Sequence, residues 1–270
     1  MTALAAALTA IALLAPAASA QEAGPEDDSA RGDLFWSFVV AVNEVNAKLA
    51  EIDGALCSAS LALSETGIEG EEARGVLHDL AELGPFVIDA ITVDIDGVIS
   101  EVMPEEYQHV RGVSISDQAH IERLLTTRRP VGLAYIESVE GVYAMDFASP
   151  IFDEGGRFAG AVTVLVNSTV LFGEILAPYQ AGGSAKIWAM TPEGTVIYDP
   201  DADQIGKNTF YDPLFADLQE LLAVGRRVQK ERSGTGYYEI FGETREVFWT
   251  TADYQGGEIR VLLSVDRGGV

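Results

Sequence analysis

One stretch of this chain occurs twice, and the repeat constrains the fold more than any other feature. Residues 92–125 and 191–222 share one order of parts: an apolar run, an acidic turn closing on glycine, a Val-Ile strand, an acidic loop with a second glycine, and an amphipathic helix. Matching residues lie 94 to 101 positions apart: Gly97 and Gly194, Gly112 and Gly206, Asp117 and Asp212, Arg128-Arg129 and Arg226-Arg227, Gly155-Gly156 and Gly256-Gly257. This near-constant offset predicts two homologous modules of about 90 residues in tandem.

Alternating apolar residues and glycine turns predict a five-stranded antiparallel sheet in each module, with helices on one side of the sheet. In the first module we expect strands at 86–93, 97–102, 131–138, 141–152 and 158–167, and a helix at 117–126. In the second module we expect strands at 185–190, 195–199, 236–241, 245–252 and 258–265, and a helix at 213–224. Asp117 and Asp212 are expected to cap the two helices.

Ahead of the modules, apolar residues recur at helical spacing from Leu34 to Leu56. They predict one amphipathic helix of about thirty residues that lies along both modules, followed by a second helix at 71–83. The fold class is therefore α+β, a long N-terminal helix packed along two tandem modules. The expected divisions are residues 1–20, an acidic linker at 21–32, the helices at 33–83, the first module at 84–180 and the second at 181–270.

Residues 1–20 form an uncharged Ala/Leu run that ends in Ala18-Ser19-Ala20, a small-residue pattern read by signal peptidase. We therefore expect a signal peptide cleaved after Ala20 and a secreted or extracytoplasmic protein. A run of this length is also sufficient to cross a bilayer, so an uncleaved N-terminal anchor is the alternative. A buried structural helix is the third possibility.

Charge and cysteine content exclude several classes of partner. Asp and Glu number 42 against 17 Lys and Arg, and the formal net charge of -25 repels phosphate backbones and anionic lipid. Nucleic acid is therefore not expected as a partner. The single cysteine, Cys57, cannot form an internal disulfide or a cysteine-based zinc site.

The order of the motifs resembles that of the double Cache extracytoplasmic sensor domain, whose two modules are PAS-like. The resemblance covers residues 33–265 and rests on four segments: "DGVIS", "RGVSISDQAHIERLL", "ASPIFDEGGRFAGAVTVLV" and "TPEGTVIYDPDADQIGKN". It implies that the protein is the sensing part of a histidine kinase or chemoreceptor system. It also implies that a small metabolite binds in the first, membrane-distal module.

The resemblance departs from the amino-acid-binding members of the family at two of three motifs. Tyr135-Ile136-Glu137 matches their Tyr-x-Asp run, but "TTRRPVGLAY" lacks their Arg-x-Trp-Tyr run. Leu165 stands where those members have a strand aspartate. The motifs therefore favour a different polar or carboxylate ligand.

Asp146 is the candidate ligand-binding residue that the pattern singles out. It lies among alanines on the predicted strand 141–152, and both faces of that strand are largely apolar, so the strand is expected to be buried. A buried carboxyl group needs a hydrogen-bond partner. An ammonium or hydroxyl group of a ligand would supply one, and an internal arginine or loop N–H is the alternative.

The other expected ligand-binding residues come from the segments next to Asp146. They are Tyr135, Glu137, Ser138, Tyr143, Arg128, Arg129 and His120. Arg128 and Arg129 would bind a carboxylate by forked hydrogen bonds, whereas their recurrence as Arg226-Arg227 favours a structural role at a helix end. His120 lies one turn into the predicted helix, where it either faces the pocket or, as is commoner, lies on the helix surface.

Enzyme and metal motifs are poorly matched. Asp199, Asp201 and Asp203 have the loop spacing of a divalent-ion site, although solvated loop acids are commoner. Gly206-Lys207 lacks the flanking residues of a phosphate loop, and no two of the three histidines have metalloprotease spacing. We expect no catalytic residue, no metal and no cofactor.

The sequence thus predicts a double Cache sensor that binds a small polar or carboxylate metabolite in its first module, without catalysis. It is expected to signal through a membrane-bound kinase or chemotaxis transducer and to form a homodimer through the N-terminal helix. Two alternatives stay open. One is a secreted metal-dependent or hydrolytic enzyme that uses Asp146 or the aspartates at 199–203, and the other is a surface interaction protein that binds no small molecule.

Overall fold

The computed structural model describes residues 25–137, 143–180, 185–240, 242–254 and 257–267; for residues 25–30, 133–137 and 143 it describes the backbone alone. Five α-helices lie in these ranges: α1 (Pro25–Thr66), α2 (Glu71–Ala81), α3 (Ala119–Thr127), α4 (Ser168–Leu176) and α5 (Gln219–Lys230). Residues 1–20, with the predicted cleavage site, lie outside the described ranges. None of the described helices is long and apolar enough to span a bilayer.

The ten described strands form the two predicted five-stranded antiparallel sheets. The first sheet has the order β2-β1-β5-β4-β3 and the second β7-β6-β10-β9-β8. The strands are β1 (Val87–Val93), β2 (Ile99–Met103), β3 (Val131–Glu137), β4 (Tyr143–Phe152), β5 (Phe158–Val166), β6 (Ala185–Met190), β7 (Val196–Tyr198), β8 (Gly234–Ile240), β9 (Glu243–Tyr254) and β10 (Gly257–Asp266). Both sheets therefore have the same connectivity, which confirms the tandem repeat.

The glycines that mark the repeat adopt the same backbone conformation in both copies. Gly97 and Gly194 have φ angles of 81° and 97°, and Gly112 and Gly206 both have φ of 83°. Such angles favour glycine because a Cβ atom is disfavoured there. The recurrence of these glycines is therefore explained by the turns that build each module.

Helix α1 is longer than the sequence predicted and packs along both modules. It has 42 residues and begins at Pro25, so the described part of the expected linker is helical instead. Its buried apolar side chains, from Phe38 to Leu63, join one core with residues from both sheets. Ser60 Oγ donates a hydrogen bond to the carbonyl oxygen of Pro150 at 2.6 Å, which ties α1 to β4.

The expectation of helices on one side of each sheet is wrong. One face of each sheet packs against α1. The opposite face, called here the outer face, is covered by α3 in the first module and by α5 in the second. Because helices cover both faces of the sheet, the side chains on both faces of β4 are buried. This explains why the strand is largely apolar throughout instead of alternating with polar residues.

Three details of the helices differ from the predictions. Asp117 does not cap α3, because that helix starts at Ala119 after Gln118, whose side chain makes no cap hydrogen bond. Asp212 accepts a hydrogen bond from Leu214 N, but it caps a short 3-10 helix that precedes α5. Helix α4 was not predicted; its N-cap is Asn167, whose side chain accepts a hydrogen bond from Val170 N.

The two modules meet where β3 approaches the end of β9. Phe147 and Tyr254 place their ring centroids 5.0 Å apart. Gly132 lies against the same tyrosine so closely that an added Cβ atom would come 2.2 Å from its ring. A side chain at position 132 is therefore incompatible with this contact.

Candidate functional site

The outer face of the first sheet contains a buried polar pair among mostly apolar side chains. Asp146 on β4 is 4% exposed and His120 on α3 is 3% exposed. His120 Nε2 and Asp146 Oδ2 lie 2.7 Å apart, within hydrogen-bonding distance. The surrounding apolar side chains include Ile121 and Leu124 of α3 and Ala148 of β4. Two further buried polar residues, Asp89 and Thr163, lie on the same face of the sheet. The pair therefore links the helix to the sheet through the core of the module.

Each partner of this pair keeps one polar atom without a hydrogen bond among the described residues. These atoms are Nδ1 of His120 and Oδ1 of Asp146, and both are buried. A buried polar atom without a partner costs about 1 to 3 kcal/mol, so native proteins supply a partner in most cases. The pair therefore leaves one ring nitrogen and one carboxyl oxygen unpaired among the described residues.

The described residues of the second module contain no equivalent of this pair. The two modules can be aligned through the last residues of β1 and β6. Val93 of β1 pairs with Ala161 of β5, and Met190 of β6 pairs with Arg260 of β10. Four residues after Ala161, Leu165 pairs with Asp146. Four residues after Arg260, Ser264 pairs with Val247. Val247 therefore takes the place of Asp146 and packs in the apolar layer under α5.

Residues 47–168 match the family described as HK/GC/Chemotaxis protein-like, sensor domain. The fold resembles that of an extracellular ligand binding receptor from Desulfohalobium retbaense, with 31% identity over 85% of this chain and a TM-score of 0.75. The chain carries a Cache-type sensor domain. It spans 39% of the length of that receptor chain. A comparison with curated proteins finds no match.

Two solved chemoreceptor domains show the same Cache fold at lower identity. The ligand-binding domain of the Pseudomonas fluorescens chemoreceptor CtaA, in complex with L-alanine, is 14% identical, with a TM-score of 0.64 over 88% of this chain and 98% of that one. The domain of the Pseudomonas aeruginosa amino acid chemoreceptor PctB, in complex with L-Gln, is 16% identical, with a TM-score of 0.64 over 87% of this chain and 90% of that one. These similarities support the fold alone.

The structure brings together two of the predicted site residues in this sensor domain, Asp146 and His120. The commoner expectation for His120, a place on the helix surface, is wrong because the imidazole is buried against β4. Tyr135 and Glu137 lie on β3, and Tyr143 begins β4, next to Asp146 in the sheet. Ser138 and the side chains of these three residues lie outside the described part of the chain.

Arg128 and Arg129 lie at the C-terminal end of α3, and both are exposed. The guanidinium carbon of Arg128 is 5.5 Å from the centroid of the Phe158 ring. Arg226, its counterpart in the second module, lies within α5, and its guanidinium carbon is 5.2 Å from the centroid of the Phe210 ring, in the loop before that helix. In both modules an arginine packs on an aromatic face, but the aromatic partners are different elements of the fold.

The loop acids of the second module bind their own backbone. Asp199 is buried, and its Oδ2 lies 2.7 Å from Lys186 Nζ. Its Oδ1 accepts a hydrogen bond from Asp201 N, and Asp201 Oδ1 accepts one from Asp203 N. Within the described ranges, no group of three or more His, Cys, Asp or Glu side chains is placed to hold a metal ion.

Sequence reasoning missed two buried glutamates, one in each module, that bind the N-terminal helices. Glu101 Oε1 accepts hydrogen bonds from Gly70 N at 3.0 Å and from Arg74 at 3.2 Å, at the start of α2. Glu246 pairs with Arg31 of α1, with Arg267 and with the hydroxyl of Tyr237. An acidic residue in a strand pattern gives no signal of such distant partners.

Proposed function

We propose that the first module binds a small polar or carboxylate metabolite beside His120 and Asp146, and that the occupied state is signalled to a partner protein without catalysis. The observation that supports this is the buried pair with one free nitrogen and one free oxygen. Two buried unpaired atoms on adjacent side chains are costly to the empty protein. A ligand that hydrogen-bonds to both removes that cost, and this favours binding at this place over the rest of the module.

The chemistry of the pair restricts the ligand. Asp146 Oδ1 accepts hydrogen bonds, so the ligand brings a donor such as an ammonium or hydroxyl group. Because Nε2 of His120 donates to the carboxylate of Asp146, Nδ1 accepts a hydrogen bond in the neutral imidazole and donates one in the imidazolium. It therefore suits a hydroxyl group in the first state and a carboxylate or hydroxyl oxygen in the second. A small hydroxy acid or amino acid carries both kinds of group. The complexes of the two chemoreceptors with L-alanine and L-Gln agree with a ligand of this size.

Helix α1 is the element best placed to report occupancy. It contacts β4, which carries Asp146, and through Arg31 it reaches Glu246 in the second module. A shift of β4 on binding would therefore act on one rigid helix that joins both modules. We propose that the partner is a membrane-bound kinase or a chemotaxis transducer and that sensing takes place outside the cytoplasm. A homodimer through α1 is supported by Trp36, which is 68% exposed on that helix.

The proposal is tested by measuring melting temperature and heat of binding against a library of hydroxy acids, amino acids and other small carboxylates. A ligand at about 100 times its Kd stabilises the native protein by about 2.7 kcal/mol. We expect Asp146→Asn to weaken binding of the active compound at least tenfold. Asp153→Asn, at a partly exposed carboxyl group on the β4–β5 turn of the same module, should leave binding unchanged. Equal loss in both variants, or turnover of the bound compound, would contradict the proposal.

A further inference from the structure

The outer face of the second sheet contains a cavity that is separate from the first-module site. It has a volume of about 660 Å³ and lies between β6, β7 and β8, the loop at 199–218 and the start of α5. Pockets of about 300 to 1,000 Å³ are typical of sites for small organic molecules. In the first module the corresponding layer contains the His120–Asp146 pair and packed aliphatic side chains.

The inner wall of the cavity is aromatic and aliphatic. It is made by Trp188, Val196, Phe215, Leu218, Leu221 and Tyr238. The polar atoms of the two strand aromatics are satisfied behind the wall, because Trp188 Nε1 donates to Ser264 Oγ at 3.0 Å and the Tyr238 hydroxyl lies 3.4 Å from the same oxygen. Burial raises the pKa of Tyr238, so the phenol stays neutral. This wall therefore suits an apolar or aromatic group.

The charged groups at the cavity fall into two sets. Lys186 is paired with the buried Asp199, and Asp201 accepts hydrogen bonds from Asp203 N and Gln204 Nε2. These groups are already occupied.

Lys207 and Arg245 form the second set. Lys207 makes no ion pair or side-chain hydrogen bond among the described residues, and it lowers the pKa of Asp201 only through its charge. The side chain of Arg245 is 19% exposed, and its partner Glu243 is 50% exposed. Asp201, Asp203 and Glu243 also line the cavity, so its carboxylates and cations are equal in number. The cations available to a ligand are therefore Lys207, which has no ion pair among the described residues, and the shielded guanidinium of Arg245.

We propose that the second module has a ligand site of its own, which takes a small carboxylate with an apolar or aromatic body. Arg245 and Lys207 bind the carboxylate, and Trp188 and Tyr238 contact the body. An arginine suits this role because its planar donors match a carboxylate. The residues that line it include neither His120 nor Asp146, so it is a separate site from that of the first module.

Two-dimensional NMR of the tryptophan indole N–H groups tests this site directly. The chain has three tryptophans. Trp188 lines the cavity, whereas Trp36 is exposed on α1 and Trp249 donates to the carbonyl oxygen of Glu231. Three probes of similar shape and different charge are compared: the anion hydrocinnamate, its neutral amide and the cation phenethylammonium. We expect hydrocinnamate to shift the Trp188 signal in a saturable way and to leave the other two signals in place.

Variants assign the contacts. Lys207→Gln and Arg245→Gln are each expected to weaken hydrocinnamate binding about tenfold, the loss typical of one charge-assisted hydrogen bond. Asp146→Asn is expected to leave it unchanged, which separates this site from the one in the first module. The proposal is overturned if no probe moves the Trp188 signal at millimolar concentration, if the amide or the ammonium binds as tightly as the carboxylate, or if Lys207→Gln has no effect.

Discussion

The two modules have the same sheet order and the same turn glycines, but their outer faces differ. In the first module a buried aspartate and histidine connect sheet and helix. In the second module Val247 takes the place of the aspartate, and a cavity opens beside Trp188 and Tyr238. Residues that recur in both copies with the same conformation, such as the turn glycines, build the fold. Residues found in one copy alone are therefore the better candidates for binding.

The largest expected effect comes from breaking the first-module pair. His120→Leu leaves Asp146 buried with neither oxygen bonded, and we expect it to lower the free energy of unfolding by about 3 kcal/mol. The double variant Asp146→Val, His120→Leu replaces both polar partners by apolar side chains, with valine as at position 247 of the second module, and should cost about 1 kcal/mol or less. Urea denaturation of both variants measures the difference. A double variant less stable than the single one would contradict the comparison between the modules.

The contact between the modules comes next in size. Gly132→Ala places a methyl group against the Tyr254 ring, and overpacking of this kind costs about 2 kcal/mol. Gly75→Ala on α2 is the matched control, since nothing lies within 4 Å of its added Cβ. In a helix that change stabilises by about 1 kcal/mol. Opposite signs in urea denaturation are expected, and equal effects would show that the tyrosine yields without cost.

The two buried glutamates are expected to differ in the same experiment. Both carboxylate oxygens of Glu246 have partners. Oε1 binds Arg31 and the hydroxyl of Tyr237, and Oε2 binds Arg267. Glu101 uses Oε1 for its partners, and its Oε2 has none among the described residues. Glu246→Gln must turn an NH2 group toward an arginine and should cost about 2 kcal/mol, whereas Glu101→Gln should cost about 1 kcal/mol. The reverse order would contradict this assignment of the oxygens.

The smallest effect concerns Asp153 in the β4–β5 turn. Its pKa is lowered by hydrogen bonds from the backbone N and then the side chain of Arg157. Because the folded pKa is below the unfolded one, the stabilisation is present above the unfolded pKa and is lost as pH falls through the folded value. Arg157→Gln should raise the pKa of Asp153, as measured by NMR titration. In the same way, Gln204→Ala should raise the pKa of Asp201, because the hydrogen bond from Gln204 is the main cause of its lowered pKa.

Local chemistry made most of the fold predictable. Turn glycines such as Gly97 and Gly194 need positive φ, and alternating apolar runs bound the strands, so both sheets followed from the repeat. The start of α3 was misplaced because Asp117 has the residue type of a cap without its geometry. The prediction that helices cover one side of each sheet was wrong, because packing on both sides depends on elements that are distant in sequence.

The candidate site was predictable only in part. Asp146 stood out as a carboxyl group in an apolar strand, and the sequence correctly required a partner for it. The partner was not identified, because a histidine on an amphipathic helix has the same pattern whether it faces solvent or a strand 26 residues away. The second-module cavity left no pattern at all, since it arises from how a loop packs over a sheet.

The most direct test of the account is NMR of the histidine ring nitrogens during titration with the compound that raises the melting temperature. The chain has three histidines, and His120 is the buried one beside Asp146. We expect the Nδ1 signal of His120 to shift with the same Kd as the heat of binding, while His78 and His109 stay unchanged. A stabilising compound that leaves His120 unchanged would place the ligand elsewhere and contradict the assignment of this site.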